Sequence, residues 1–315
     1  VTRVGAIDCG TNSIRLLIAD VGASGRLREV VREMEVVRLG QGVDARGMLD
    51  PDALARTLDA TTRYARECRA HDVEAIRFVA TSATRDAANR GAFVDGVRAI
   101  LGVEPEVISG QEEAALSFAG AAGALGGQHP GPHLVVDIGG GSTELVLGEG
   151  VPSAATSMDV GSVRLTERHL RTDPPTERQV KAARADVRAA LDAAARLVPL
   201  RRARTLIGVA GSITTTTALA LGLPAYDRTR IDGAVVGVED TLRACEQLVR
   251  APRAERAAMG FMHPGRVDVI AAGALVWSEV IERVRREVAA AGGELTTVVT
   301  SEHDILDGIA LSILA

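Results

Sequence analysis

Apolar runs rich in β-branched residues alternate along this chain with stretches in which apolar positions recur every three or four residues, which predicts alternating strands and helices. Residues 4–7 and 16–21 read as two strands joined by the tight turn Asp8-Cys9-Gly10-Thr11-Asn12-Ser13. Asp50-Pro51 supplies a cap and a first-turn proline for a helix carrying Leu54, Leu58, Thr61, Ala65 and Cys68 on one face. A strand at 75–80 runs into Thr81-Ser82-Ala83-Thr84-Arg85, which opens a helix ending near Gly102. A short strand at 106–108 precedes Ser109-Gly110-Gln111-Glu112, a Ser-x-x-Glu capping box ahead of a helix to about Ala122. The glycine- and proline-rich stretch 120–132 reads as a linker. Strands at 134–138 and 143–148 follow, then a helix capped by Thr176 with Val180, Ala183, Val187 and Leu191 on one face.

This alternation predicts an α/β protein. Its second half repeats its first: Asp8, Gly10, Ser13 and Leu16 superimpose without gaps on Asp137, Gly139, Ser142 and Leu145. Two copies of one strand-turn-strand unit predict a duplicated fold whose turns face each other across a cleft. The expected domains are residues 1–122 completed by 301–315, and residues 123–300.

Composition narrows the field. The 315 residues are 46% hydrophobic and 24% charged but only 2% aromatic, so the core is aliphatic and rings for stacking single-stranded nucleic acid are scarce. A net charge of -5 gives no basic field for DNA. Cys9, Cys68 and Cys245 are widely spaced and read as buried, reduced thiols. No apolar run approaches membrane-spanning length, and Val1-Thr2-Arg3 leads straight into a strand without a leader pattern, so a cytoplasmic protein with no membrane partner is expected.

Candidate chemistry sits in the turns. Gly139, Gly140, Gly141 and Ser142 offer consecutive backbone N–H groups, an anion-binding nest suited to phosphate, and Gly10, Thr11, Asn12 and Ser13 offer the same kind of donors. Asp8 and Asp137 at the strand ends are placed to hold Mg²⁺, directly or through water. A third turn, Ala210-Gly211-Ser212, opens a helix rich in threonine. Arg164, Arg168 and Arg171 at i, i+4 and i+7 read as one helix face. Arg266, after His263-Pro264-Gly265, is a further phosphate candidate. Cys9 and Trp277 read as core.

Together the three turns describe a duplicated actin-like (ribonuclease H-like) ATPase architecture. Five segments then resemble the Ppx/GppA phosphatases, the exopolyphosphatase and guanosine pentaphosphate phosphohydrolase family: Ala6-Ile-Asp-Cys-Gly-Thr-Asn-Ser-Ile-Arg-Leu-Leu17, Val79-Ala-Thr-Ser-Ala-Thr-Arg85, Ile108-Ser-Gly-Gln-Glu-Glu-Ala114, Asp137-Ile-Gly-Gly-Gly-Ser-Thr-Glu144 and Gly208-Val-Ala-Gly-Ser212. The resemblance implies Glu113 as the base that activates water, Arg85 as a phosphate contact, and Asp137 and Glu144 as metal- or water-positioning carboxylates, with Asp8 beside them. It implies hydrolysis of the terminal phosphate of polyphosphate, with guanosine pentaphosphate as the close second substrate. Mg²⁺ is the expected metal, with Mn²⁺ open beside it, and a homodimer is left open. The last helix, capped at 301–304, returns in the family to the first domain. Longer relatives carry a further helical part beyond it, so short polyphosphate chains are the expected substrate. Two other classes compete: an actin-fold kinase, and a sensor that binds guanosine tetra- or pentaphosphate without turnover.

Overall fold

A computed structural model describes residues 1–22, 26–125 and 127–314. The chain divides into two compact units, one of residues 1–120 with 305–315, the other of residues 121–304.

In the first unit, strands β1 (Thr2–Cys9), β2 (Ser13–Val21), β3 (Leu27–Val36), β4 (Ala75–Ala80) and β5 (Glu106–Val107) form one sheet in the order β3-β2-β1-β4-β5. The first three strands are antiparallel neighbours, while β4 and β5 run parallel to β1. Side-chain alternation sends Ile7 and Cys9 to one face, where Ala60, Tyr64 and Cys68 of the helix Pro51–Ala70 bury them. It sends Val4 and Ala6 to the other, against Ile305, Leu306 and Ile309 of the helix Ile305–Ser312. With both faces covered, the unit is a three-layer α/β/α sandwich. Asp50 caps the helix that follows it, its Oδ1 accepting from the N–H groups of Asp52 and Ala53 at 3.0 and 3.2 Å.

The second unit repeats the plan. Strands β6 (His133–Ile138), β7 (Thr143–Glu149), β8 (Val151–Met158), β9 (Thr205–Val209), β10 (Val235–Gly237) and β11 (Thr297–Thr300) form a sheet ordered β8-β7-β6-β9-β11-β10. Its first five positions match those of the first sheet strand for strand and in direction, and β10 adds an antiparallel edge. The helix Glu177–Ala194 starts with a full capping box on Thr176 and Gln179. It packs on the helix Ile270–Ala290, whose Trp277 is wholly buried.

Several expectations change. The segment from Thr81 forms two helices, Ser82–Asp86 and Arg90–Leu101. They are interrupted where Asn89 turns its amide to the backbone of Leu49. The helix after Ser109 runs Gly110–Leu125, so the first part of the expected linker is helical; Gly126 in that stretch lies outside the described residues. The helix Ser162–Arg168 ends before Arg171, which therefore shares no helix face with Arg164. The strands β3, β8, β10 and β11 have no counterpart in the sequence reading. All three cysteines are free and buried. No helix among the described residues is long and apolar enough to cross a membrane.

Candidate active site

Apart from Arg266, which follows a helix, and Glu144, which lies within β7, the candidate residues are carried at the C-terminal ends of strands or in the segments that follow them, the place where open α/β sheets bind ligands. In the first unit these are the turn after β1, the segment 81–85 after β4 and the segment 108–113 after β5. In the second they are the turn after β6, Ala210-Gly211-Ser212 after β9 and Ser301-Glu302 after β11.

The two hairpin turns share one backbone design. Gly10 N donates to Ser13 O at 3.0 Å, and Gly139 N donates to Ser142 O at 3.0 Å. Other carbonyls of the turns are tied down from behind. Asn12 O accepts from Val37 N and Arg38 N, and Thr11 O from Gly40 N. In the second unit Gly139 O accepts from Ser162 N, and Gly140 O from Val163 N and Arg164 N. Arg164 Nε adds a 2.7 Å bond to Gly141 O. With the carbonyls fixed, the N–H groups of Thr11, Asn12, Gly140 and Gly141 have no acceptor among the described residues. Unspent donors in a tight turn are what a phosphate oxygen needs.

Close approach makes this pinning possible. A Cβ on Gly40 would lie 2.2 Å from Thr11 Cγ2, and one on Gly161 would lie 2.5 Å from Gly140 O. Neither glycine belongs to a motif that the sequence displays. Each follows the third strand of its sheet, a shared position visible only once β3 and β8 are located. The Thr11 hydroxyl is buried without a hydrogen-bond partner, a cost that a ligand oxygen would relieve.

Beside the first turn, Thr81 N donates to Cys9 O, and Arg85 projects from the helix Ser82–Asp86. Its Nη1 donates to Ile108 O at 2.8 Å and to Glu113 Oε2 at 3.1 Å. Its Nε and Nη2 make no hydrogen bond among the described residues, so one guanidinium holds the carboxylate and still presents two donors. Glu113 is 7% exposed, in the first turn of its helix. Neighbouring Glu112 corrects the capping-box reading: its N–H donates to Ser109 Oγ at 3.2 Å, but its carboxylate turns to Arg77 at 2.8 Å. Burial and the Asp8 charge push the Cys9 thiol well up, fitting a core residue.

The strand-end acids differ between the units. Asp137 stands directly across from Glu144 in the β6–β7 ladder, and Glu144 across from Ser157 on β8. Ser157 Oγ donates to Glu144 Oε1 at 2.7 Å. The two acids are 6% and 1% exposed. At the matching pair of the first unit, Asp8 faces Arg15, which donates to Asp8 Oδ2 through Nε at 3.0 Å and Nη2 at 2.7 Å. Two buried acids on one cross-strand pair repel unless a cation or proton intervenes, so a divalent cation fits Asp137 and Glu144. The Asp8 charge is met by arginine, which removes the electrostatic reason for a metal there. Among the described residues no cluster of three or more acids, histidines or cysteines could hold a metal alone. Two carboxylates completed by water and phosphate oxygens is an ordinary Mg²⁺ environment.

At the third turn Ala210 opens the helix Ala210–Ala220 with φ 68°, a left-handed conformation that non-glycine residues avoid. Such outliers cluster at functional sites. The Arg266 guanidinium lies over Gly211, where a Cβ would come within 2.3 Å of Arg266 Cζ, and its Nη1 is 3.4 Å from Thr215 Oγ1. Ser212 is buried against Gly273. The structure therefore brings Gly211, Ser212 and Arg266 together, although Arg266 is remote from them in sequence.

Two sheets of one strand order, each with a glycine turn between its first two strands, define the actin-like ATPase class of fold. Within that class the chain belongs to the Ppx/GppA phosphatase family, whose model matches residues 17–294. It is 52% identical to Exopolyphosphatase 2 of Mycobacterium tuberculosis, over 99% of this chain and 98% of that one. A guanosine-5'-triphosphate,3'-diphosphate pyrophosphatase of Vibrio cholerae is 40% identical over 53% of this chain and 33% of its own length. The solved structure of an exopolyphosphatase-like protein superimposes with a TM-score of 0.96 at 49% identity, covering 98% of this chain and 97% of that one.

Proposed function

We propose that the protein is an exopolyphosphatase, hydrolysing the terminal phosphate of inorganic polyphosphate. The observation that carries this reading is the full-length identity to an exopolyphosphatase in a chain whose two hairpin turns both keep backbone donors unspent. In the proposed chemistry Glu113 takes the proton of the attacking water. Arg85 orients the Glu113 carboxylate through Nη1 and offers Nε and Nη2 to phosphate oxygens. In the first unit the N–H groups of Thr11 and Asn12 with the Thr11 hydroxyl, and in the second those of Gly140 and Gly141 with Ser142 and the Gly211 turn with Arg266, each offer donors to phosphate oxygens. Asp137 and Glu144 would hold a divalent cation, Mg²⁺ or Mn²⁺, which neutralises phosphate charge when bound. Asp8 serves as the ion-pair partner of Arg15. Phosphoryl transfer asks mainly for such positioning and charge stabilisation.

The partial match to the Vibrio cholerae pyrophosphatase favours a second reading, removal of the 5'-phosphate of guanosine pentaphosphate. Phosphate release from inorganic triphosphate, long polyphosphate, guanosine pentaphosphate and ATP, measured side by side with Mg²⁺, separates the readings. Fastest release from polyphosphate is expected. Guanosine pentaphosphate hydrolysed about tenfold faster would select the second reading, and release that requires an added acceptor would replace both with a kinase.

A further inference from the structure

In each unit a carboxylate follows the fifth strand of the common sheet order, beside an arginine: Glu113 after β5 with Arg85, and Glu302 after β11 with Arg228. The proposed reaction uses Glu113 and leaves Glu302 without a role. Glu302 is mostly buried, its side chain 13% exposed, and its Oε1 accepts a hydrogen bond from the Tyr226 hydroxyl. The Tyr226 oxygen also lies 2.8 Å from Thr214 Oγ1, in the first turns of the helix that carries Gly211 and Ser212. One phenolic proton cannot serve both neighbours. The carboxylate is the stronger acceptor and competes with Thr214 for it, while the Thr214 hydroxyl faces Gly211 O at 3.5 Å.

The surroundings of Glu302 are mixed in charge. Arg228 Nε lies 3.8 Å from Oε2, the Arg266 charge acts on both Glu302 and Tyr226, and Asp304 adds a like charge from the same segment. Asp232 accepts from the Glu302 N–H and faces His303. Burial is the main reason the Glu302 carboxyl is held above the usual range; Asp304 adds to this, while Tyr226, Arg228 and Arg266 oppose it. A carboxylate in this position offsets the Arg266 charge that the phosphate chain is to use.

We propose that Glu302 is a proton-linked positioning residue of the phosphate site at the third turn: ionised, it occupies Tyr226 and offsets Arg266, and oligophosphate binding at Arg266 is accompanied by uptake of one proton from solvent onto its carboxyl. Bound phosphate adds negative charge beside Glu302, raises its proton affinity, and by linkage binds more tightly to the protonated form. This inference rests on the reading of Gly211, Ser212 and Arg266 as a phosphate site.

The test is KM and kcat for inorganic triphosphate with Mg²⁺ from pH 5 to 8.5, for the wild-type chain, Glu302→Gln, Tyr226→Phe and Arg266→Gln, with melting temperatures alongside. Glu302→Gln mimics the protonated state. Its KM should approach that of wild type toward the acid end of the range and fall below it as pH rises, to about tenfold for a one-unit linkage, with kcat unchanged. Titration of the substrate itself is common to both proteins and cancels in the ratio. Tyr226→Phe removes a bond that favours the ionised carboxyl, so the pH at which it departs from Glu302→Gln should move up. A wild-type to Glu302→Gln KM ratio flat with pH overturns the proposal, as does an effect confined to kcat or melting temperature. Should Glu302→Gln fail to fold, an unmoved pH profile in Tyr226→Phe overturns it equally. Arg266→Gln should raise KM throughout; if it does not, the phosphate site at this turn is wrong, a failure distinct from a missing pH dependence.

Discussion

The strand-end pair of the first unit is Asp8 opposite Arg15; that of the second is Asp137 opposite Glu144. Sheet order, turn hydrogen bond and rear pinning are otherwise shared. One pair sets an arginine against an acid and the other sets two acids together, so the two units keep the same turn backbone while one cross-strand position changes the charge behind it. Backbone donors survive sequence change because they depend on the path of the chain, whereas the charge behind them depends on one side chain.

The largest expected effect probes the unit with the Asp8–Arg15 pair. Glu113→Gln should lower kcat by about 100- to 10,000-fold, the usual contribution of a general base, with triphosphate binding retained by calorimetry; near-full turnover removes Glu113 from its role. Next, Glu144→Gln or Asp137→Asn should raise the Mg²⁺ concentration needed for half-maximal activity by at least about tenfold, in the range seen when groups supporting a metal site are lost. Asp8→Asn should leave that requirement unchanged. If all three variants behave alike in a metal titration, the asymmetry between the units carries no function.

Arg15→Glu writes the second unit's acidic pair into the first. Losing the ion pair and setting two buried carboxylates together should destabilise the fold by about 3 kcal/mol, read by urea denaturation, with partial recovery on adding Mg²⁺ only if the backbone there can also seat a cation. The smallest effect is expected for Glu112→Gln. Its carboxylate shares Arg77 with Glu106 at the surface, so stability should change by less than about 1 kcal/mol and kcat should not change. A large kcat loss in this variant would exchange the parts given to the two adjacent glutamates.

The glycine turns, the duplication and the helix caps at Asp50 and Thr176 were legible in the chain because each is a local event: a spacing, a turn residue, a side chain reaching two or three positions ahead. The segment from Thr81 was misread as one helix because Asn89 is engaged by Leu49, forty residues away, and no local signal reports that bond. The capping box at Ser109 formed only in part because Arg77, on another strand, competes successfully for Glu112. The edge strands β3, β8 and β10 escaped notice because their partly exposed faces weaken the apolar pattern.

By itself, then, the sequence determined the α/β alternation, the repeat and the residue types able to meet a phosphate chain, since periodicity and backbone freedom are properties of neighbours along the chain. Tertiary structure alone decided that Arg85 grips Glu113, that Arg15 faces Asp8 while Glu144 faces Asp137, that Gly40 and Gly161 let their turns be pinned, that Arg266 lies over Gly211, and that Tyr226 links Glu302 to the helix of the third turn. Charge and close packing act through space, and only the fold sets which distant residues share it.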